Sequence, residues 1–83
     1  MKEDNFHLDP GGKAKVLIID DDKGMSYTLV RMVNETGHTA KTAFTINEGI
    51  ALARSESFDV VFLDVKLPDG NGLNAIPEIQ ALS

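Results

Sequence analysis

Residues 58–73 read FDVVFLDVKLPDGNGL. The apolar run from Phe58 to Leu63 stops on a carboxylate, Asp64, and the chain then enters Pro68, Asp69, Gly70, Asn71 and Gly72. A short continuous apolar run suits a strand covered on both faces, and the Pro/Asp/Gly/Asn cluster after it is turn chemistry. A second stretch has the same design. Residues 15–20, KVLIID, form another apolar run that ends on acid, followed by Asp21 and Asp22.

Between and around these runs the pattern switches to helical spacing. Met25, Leu29, Met32 and Val33 fall on one helical face, Asp21 and Asp22 precede it where carboxylates suit a helix N-terminus, and Gly37 closes it. Residues 38–44 alternate weakly and read as a second, less buried strand. Thr45 and Glu48 form a capping box that opens a second helix through about Arg54, with Ile46, Ile50 and Ala53 inward. Gly49 within it costs about 1 kcal/mol relative to Ala. A third helix follows the turn, with Asn74 as its cap, Pro77 at the third helical position and Ile76 and Ile79 as apolar positions. The order β-α-β-α-β-α implies an α/β fold with a parallel sheet and right-handed crossovers.

In such a sheet both acidic strand ends lie on one side, where ligand chemistry gathers. If the first and third strands are neighbours, Asp20, Asp21 and Asp64 converge and repel one another. A divalent cation removes that penalty. Oxygen ligands without His or Cys select a hard ion, Mg²⁺ or Mn²⁺. A carboxylate beside Mg²⁺ can attack phosphorus to give an acyl phosphate. Asp64, the lone acid at a rigid strand end, is the better nucleophile, and the acidic pair is the better metal platform.

Composition narrows the partners. With 83 residues the chain suits one small domain, and no cysteine is present to build a disulfide framework or thiolate metal site. A net charge of −5 disfavours direct nucleic-acid binding, which needs a basic patch. No apolar stretch is long enough to span a membrane and the N-terminus has no signal-peptide core, so a cytoplasmic location is expected. Residues 1–13, which include His7, read as a flexible leader.

The stretches VLIIDDD at 16–22 and FDVVFLDVKLPDGNGL at 58–73 together resemble the receiver domain of bacterial two-component response regulators. The resemblance spans residues 14–83 and implies a flavodoxin-like fold with strand order 2-1-3, cut to about three strands and three helices. It implies that Asp64 is the phosphoacceptor for a sensor histidine kinase. Asp20, Asp21, Asp64 and the backbone carbonyl of Lys66 would hold Mg²⁺. Pro68 and Gly72 match the turn that shapes the loop, and Asp22 falls beyond the acidic pair as a helix cap. The third helix, with Pro77, resembles regulators of σ54-dependent transcription. Nothing in the resemblance makes the chain an enzyme beyond self-catalysed phosphotransfer.

Whole receivers have five strands and five helices, and the groups that read the phosphorylated state lie on the fourth and fifth strands. The sequence stops after the third helix, so it is expected to lose switching. It should also expose the edge of strand three, favouring self-association or element exchange with a second copy. Two other readings compete. One is an interaction or dimerisation fragment without phosphotransfer. The other is a haloacid-dehalogenase-like phosphatase using Asp20, although Lys23-Gly24-Met25 follows where such enzymes usually place Gly-Thr.

Overall fold

The computed structural model describes residues 12–82; most of the expected leader, including His7, lies outside the described residues, as does Ser83. The elements are β1 (Lys15–Ile19), α1 (Lys23–Glu35), β2 (Thr39–Ala43), α2 (Ile46–Ser55) and β3 (Val60–Leu63). A small hairpin follows, β4 (Lys66–Leu67) and β5 (Gly70–Asn71), then a 3₁₀ turn (Gly72–Ala75) and α3 (Ile76–Ala81). β1 is central and parallel to both neighbours, giving the order β2-β1-β3. Its Val16–Ile19 segment is buried throughout, as a strand with a partner on each side and helices on both faces must be.

Side chains alternate across the sheet. Leu17 and Ile19 join the core formed with α2, the hairpin and α3, where Ala43, Leu67, Ala75 and Ile79 are buried beside them. Val16 and Ile18 point to the opposite face, the one α1 covers, since successive crossovers of one hand put α1 and α2 on opposite faces.

α1 is capped by Asp22, whose Oδ1 accepts from Met25 N at 3.0 Å. It closes in a Schellman arrangement around Gly37 (φ 87°), with Gly37 N donating to Asn34 O and His38 N to Val33 O. Its inward stripe differs from the expected one. Met25 and Met32 are 50% and 55% exposed, not core, whereas Ser26 is 2% exposed. Of the expected positions Leu29 and Val33 are half-buried, and Ser26 and Val30 take the inward places of the two methionines. A small side chain at Ser26 brings the helix close to the sheet, and its hydroxyl donates to Asp20 O at 3.2 Å. The methionines are left on the flank.

α2 has the expected cap. Thr45 Oγ1 accepts from Glu48 N at 3.1 Å, and Glu48 Oε1 reaches back to accept from Phe44 N at 2.8 Å. Gly49 is buried, and a Cβ there would sit 2.4 Å from Ile19 Cδ1. The helix-propensity loss at this glycine is therefore offset by a close approach of α2 to β1 that no larger residue allows. α3 begins later than expected. Asn71, not Asn74, provides the side-chain cap, accepting from Leu73 N at 2.8 Å to start the 3₁₀ turn. Pro77 then falls in the first two positions of α3, where a missing N–H costs no helical bond. Arg54 and Glu78 pair at 2.8 Å, joining α2 to α3.

The N-terminal ends of the strands are tied by a separate polar network. Glu56 pairs with Lys15 at 2.7 Å and Lys41 at 2.5 Å, and Asp59 Oδ2 accepts from Lys15 N at 2.7 Å. His38 accepts from Ala14 N through Nδ1 at 2.9 Å. The Lys15 hydrogen bond, then that of Lys41, holds the Glu56 carboxyl below its ordinary 4.5. A depressed carboxylate contributes stability above the unfolded value and loses it as pH falls through the folded one. Glu56→Gln should therefore flatten the acid limb of stability below pH 4.5. Urea midpoints measured from neutral pH into this range check it; superimposable acid limbs for variant and parent would contradict it.

Candidate metal centre

The site is set by strand register. Ile19 lies opposite Leu63 in the β1–β3 pairing, and Asp64 N donates to Ile19 O at 2.9 Å. The next residue of β1 is Asp20, so the two strand ends deliver Asp20 and Asp64 side by side. Asp20, Asp21 and Asp64 each present one carboxylate oxygen, all within 4.8 Å of one another. Asp20 and Asp64 are half-buried and Asp21 is exposed. Asp20 is oriented by Asp22 N, which donates to its Oδ1 at 2.9 Å, and its own N–H is held by Ala43 O at 3.0 Å. The Asp22 side chain turns away to cap α1.

Three converging acids without nitrogen or sulfur ligands fit a hard divalent ion. Oxygens around octahedral Mg²⁺ lie ~3 Å apart when adjacent and ~4 Å when opposite, given Mg–O distances of about 2.1 Å, so the carboxylates would draw in from their 4.8 Å outer limit to hold the ion. The expected ligands Asp20, Asp21 and Asp64 are thus brought together. Lys66, exposed and two residues past Asp64, starts the hairpin that follows.

That hairpin is more ordered than a turn reading suggests, and its anchors were not legible in advance. β4 and β5 pair antiparallel, Lys66 with Asn71 and Leu67 with Gly70. At the base, Gly72 N donates to Val65 O at 2.6 Å, and a Cβ on Gly72 would lie 2.0 Å from Asp64 O. In the middle, Leu67 enters the core. At the tip, Asp69 Oδ1 accepts from Ile46 N at 2.8 Å and Oδ2 from Asn47 N at 3.0 Å. The Asn47 and Ile46 amides hold the Asp69 carboxyl below its ordinary value. No local pattern marks Asp69, because its partners lie 22 and 23 residues upstream on a helix that already has a cap of its own.

A groove of about 340 Å³ lies away from the carboxylates, against β3 and α3, lined by Phe58, Val61, Leu63, Ile76, Ile79 and Leu82 among others. Among the described residues no strand pairs with the far side of β3.

The family model for the response regulator receiver domain matches residues 16–83, and the chain belongs to that family. Protein PilH of Pseudomonas aeruginosa is 38% identical over 66 residues, covering 80% of this chain and 54% of PilH. A two-component response regulator from Clostridium difficile superposes with a TM-score of 0.82 at 31% identity, over 86% of this chain and 59% of that one. A response regulator from Burkholderia pseudomallei, solved with a phosphorylated aspartic acid, calcium ion and citrate, gives 0.82 at 28% identity over 86% and 42%. The fold is therefore the CheY-like receiver architecture, with the strand order 2-1-3 expected from the sequence. The chain spans only about half the length of PilH. Among the described residues, no helix is long and apolar enough to cross a membrane.

Gly72 is the sharpest steric constraint here, since the atom it would strike is backbone. Gly72→Ala should lower stability by roughly 1–3 kcal/mol, the usual cost of overpacking. It should also weaken Mg²⁺ binding by moving the Asp64 carbonyl. Urea unfolding with a parallel Mg²⁺ titration checks this, and wild-type values for both would contradict it.

Proposed function

We propose that this segment is the phosphoacceptor part of a response-regulator receiver, with Asp64 taking a phosphoryl group from the phosphohistidine of a sensor histidine kinase. The observation that carries this is the convergence of Asp20, Asp21 and Asp64 within 4.8 Å. An Asp64 oxygen forms the new bond to phosphorus as the P–N bond breaks, and the leaving imidazole nitrogen takes a proton. Asp20, Asp21, Asp64 and the Lys66 carbonyl would hold Mg²⁺ or Mn²⁺, which would offset negative charge on the transferring group. The likeness to the Burkholderia protein, solved with phosphorylated aspartic acid and calcium, supports both assignments. The chain's own contribution is position, so it acts as a self-phosphorylating acceptor and not as a turnover enzyme. As a receiver segment it would act in the cytoplasm, in signalling that controls transcription, without direct nucleic-acid contact by this segment.

A second reading, self-association, is favoured by the outer face of β3. Among the described residues no strand covers the outer edge of β3, Phe62 is 47% exposed, and an apolar groove runs beside that edge. Through it a second copy would pair or exchange elements with this one.

Incubation with acetyl phosphate and Mg²⁺, followed by peptide mass spectrometry, separates the readings. A phosphate adduct on Asp64 that is lost in D64N and suppressed by EDTA is expected. An adduct on Asp20 would support the phosphatase-like alternative, and no adduct at all would leave the interaction reading in possession.

A further inference from the structure

The geometry points to Asp69 as a positioning residue: its carboxylate ties the tip of the β4–β5 hairpin to the first turn of α2 and so holds the Lys66 carbonyl at the cation site. This rests on the receiver reading above and adds a role to a residue that otherwise looks like a turn former.

The amides of α2 can be accounted for completely. Gly49 N makes the first intrahelical bond, to Thr45 O at 3.1 Å. That leaves the amides of Ile46, Asn47 and Glu48 without helical partners. Glu48 N goes to its own cap, Thr45 Oγ1. Ile46 N and Asn47 N both go to Asp69, one to each carboxylate oxygen, at 2.8 and 3.0 Å. The negative charge also sits at the positive end of the helix dipole. The tip is close in apolar terms too, since a Cβ on Gly70 would rest 3.4 Å from Ile46 Cδ1.

The hairpin needs such a fixture. It has two residue pairs, and a two-stranded hairpin of any length is marginal alone in water. Its base is fixed through Gly72 and Val65, and Leu67 is buried. Lys66 lies between base and tip, so its carbonyl is placed only as firmly as those anchors allow. The simpler reading, that Asp69 merely stabilises α2, makes a different forecast. Loosening the same helix end from its other side would then have the same consequence.

Glu48 provides that comparison, because it supports the α2 terminus without touching the hairpin. Mg²⁺ alone is titrated into wild type, D69A, D69N and E48A, with hydrogen exchange of the Ile46 and Asn47 amides read in parallel. D69A should weaken Mg²⁺ about tenfold, the lower end of what outer-shell partners of a metal contribute. It should also speed exchange at both amides. D69N, which keeps one acceptor oxygen, should fall between D69A and wild type, and E48A should bind Mg²⁺ as wild type does. Wild-type affinity in D69A, or equal weakening in E48A, overturns the tether. Failure of the wild type to bind Mg²⁺ overturns the receiver site itself and the tether with it, which is a separate result from tight binding in both wild type and D69A.

Discussion

The parallel pairing of Ile19 with Leu63 is the constraint on which the rest depends. One step beyond that pair, Asp20 and Asp64 emerge together at the carboxyl ends of neighbouring strands. Side chains alternate with a period of two, so a slip of one residue would turn Asp64 to the wrong face and Leu63 out of the core. The hydrophobic pattern of β1 and β3 thus fixes the register, and the register fixes the acids. The site needs no long-range search by flexible loops, because the two most apolar strands carry it.

The two ends of the sheet differ electrostatically. At the N-terminal ends, Glu56 is matched by Lys15 and Lys41, and the Asp59 carboxylate accepts the Lys15 backbone amide. At the carboxyl ends Asp20, Asp21 and Asp64 converge, and among the described residues no ion pair reaches them. Lys23 lies 5.4 Å from the centre of the Phe44 ring. Like charges held this close are stabilised by a bound cation. Around them the backbone is pinned by Asp22, Ser26 and Gly72, so the acids cannot relieve their repulsion by drifting apart without breaking local structure.

Much of this was legible in the sequence. Apolar runs ending on acid named both strands of the site, and Thr45 with Glu48 named the start of α2. Local chemistry also identified Asp22 as a cap. The inward face of α1 was misread because helical spacing alone does not say which of two adjacent stripes faces inward. Met25 and Met32 satisfy the period as well as Ser26 and Val30 do, and the small buried serine wins because it allows close packing. Asn74 looked like the cap of α3, whereas Asn71 caps the 3₁₀ turn before it and α3 itself starts at Ile76 without a side-chain cap. Asp69 carried no signal of its own, since its role exists only after the hairpin folds against a helix more than twenty residues earlier.

The melting temperature of D21N against wild type, each with and without Mg²⁺, tests the central claim most directly. Convergent repulsion relieved by a cation predicts that D21N melts higher than wild type in the absence of Mg²⁺. It also predicts that Mg²⁺ raises the wild-type value and leaves D21N nearly unchanged. A metal-free D21N that melts lower than wild type and keeps the full Mg²⁺ shift would contradict it.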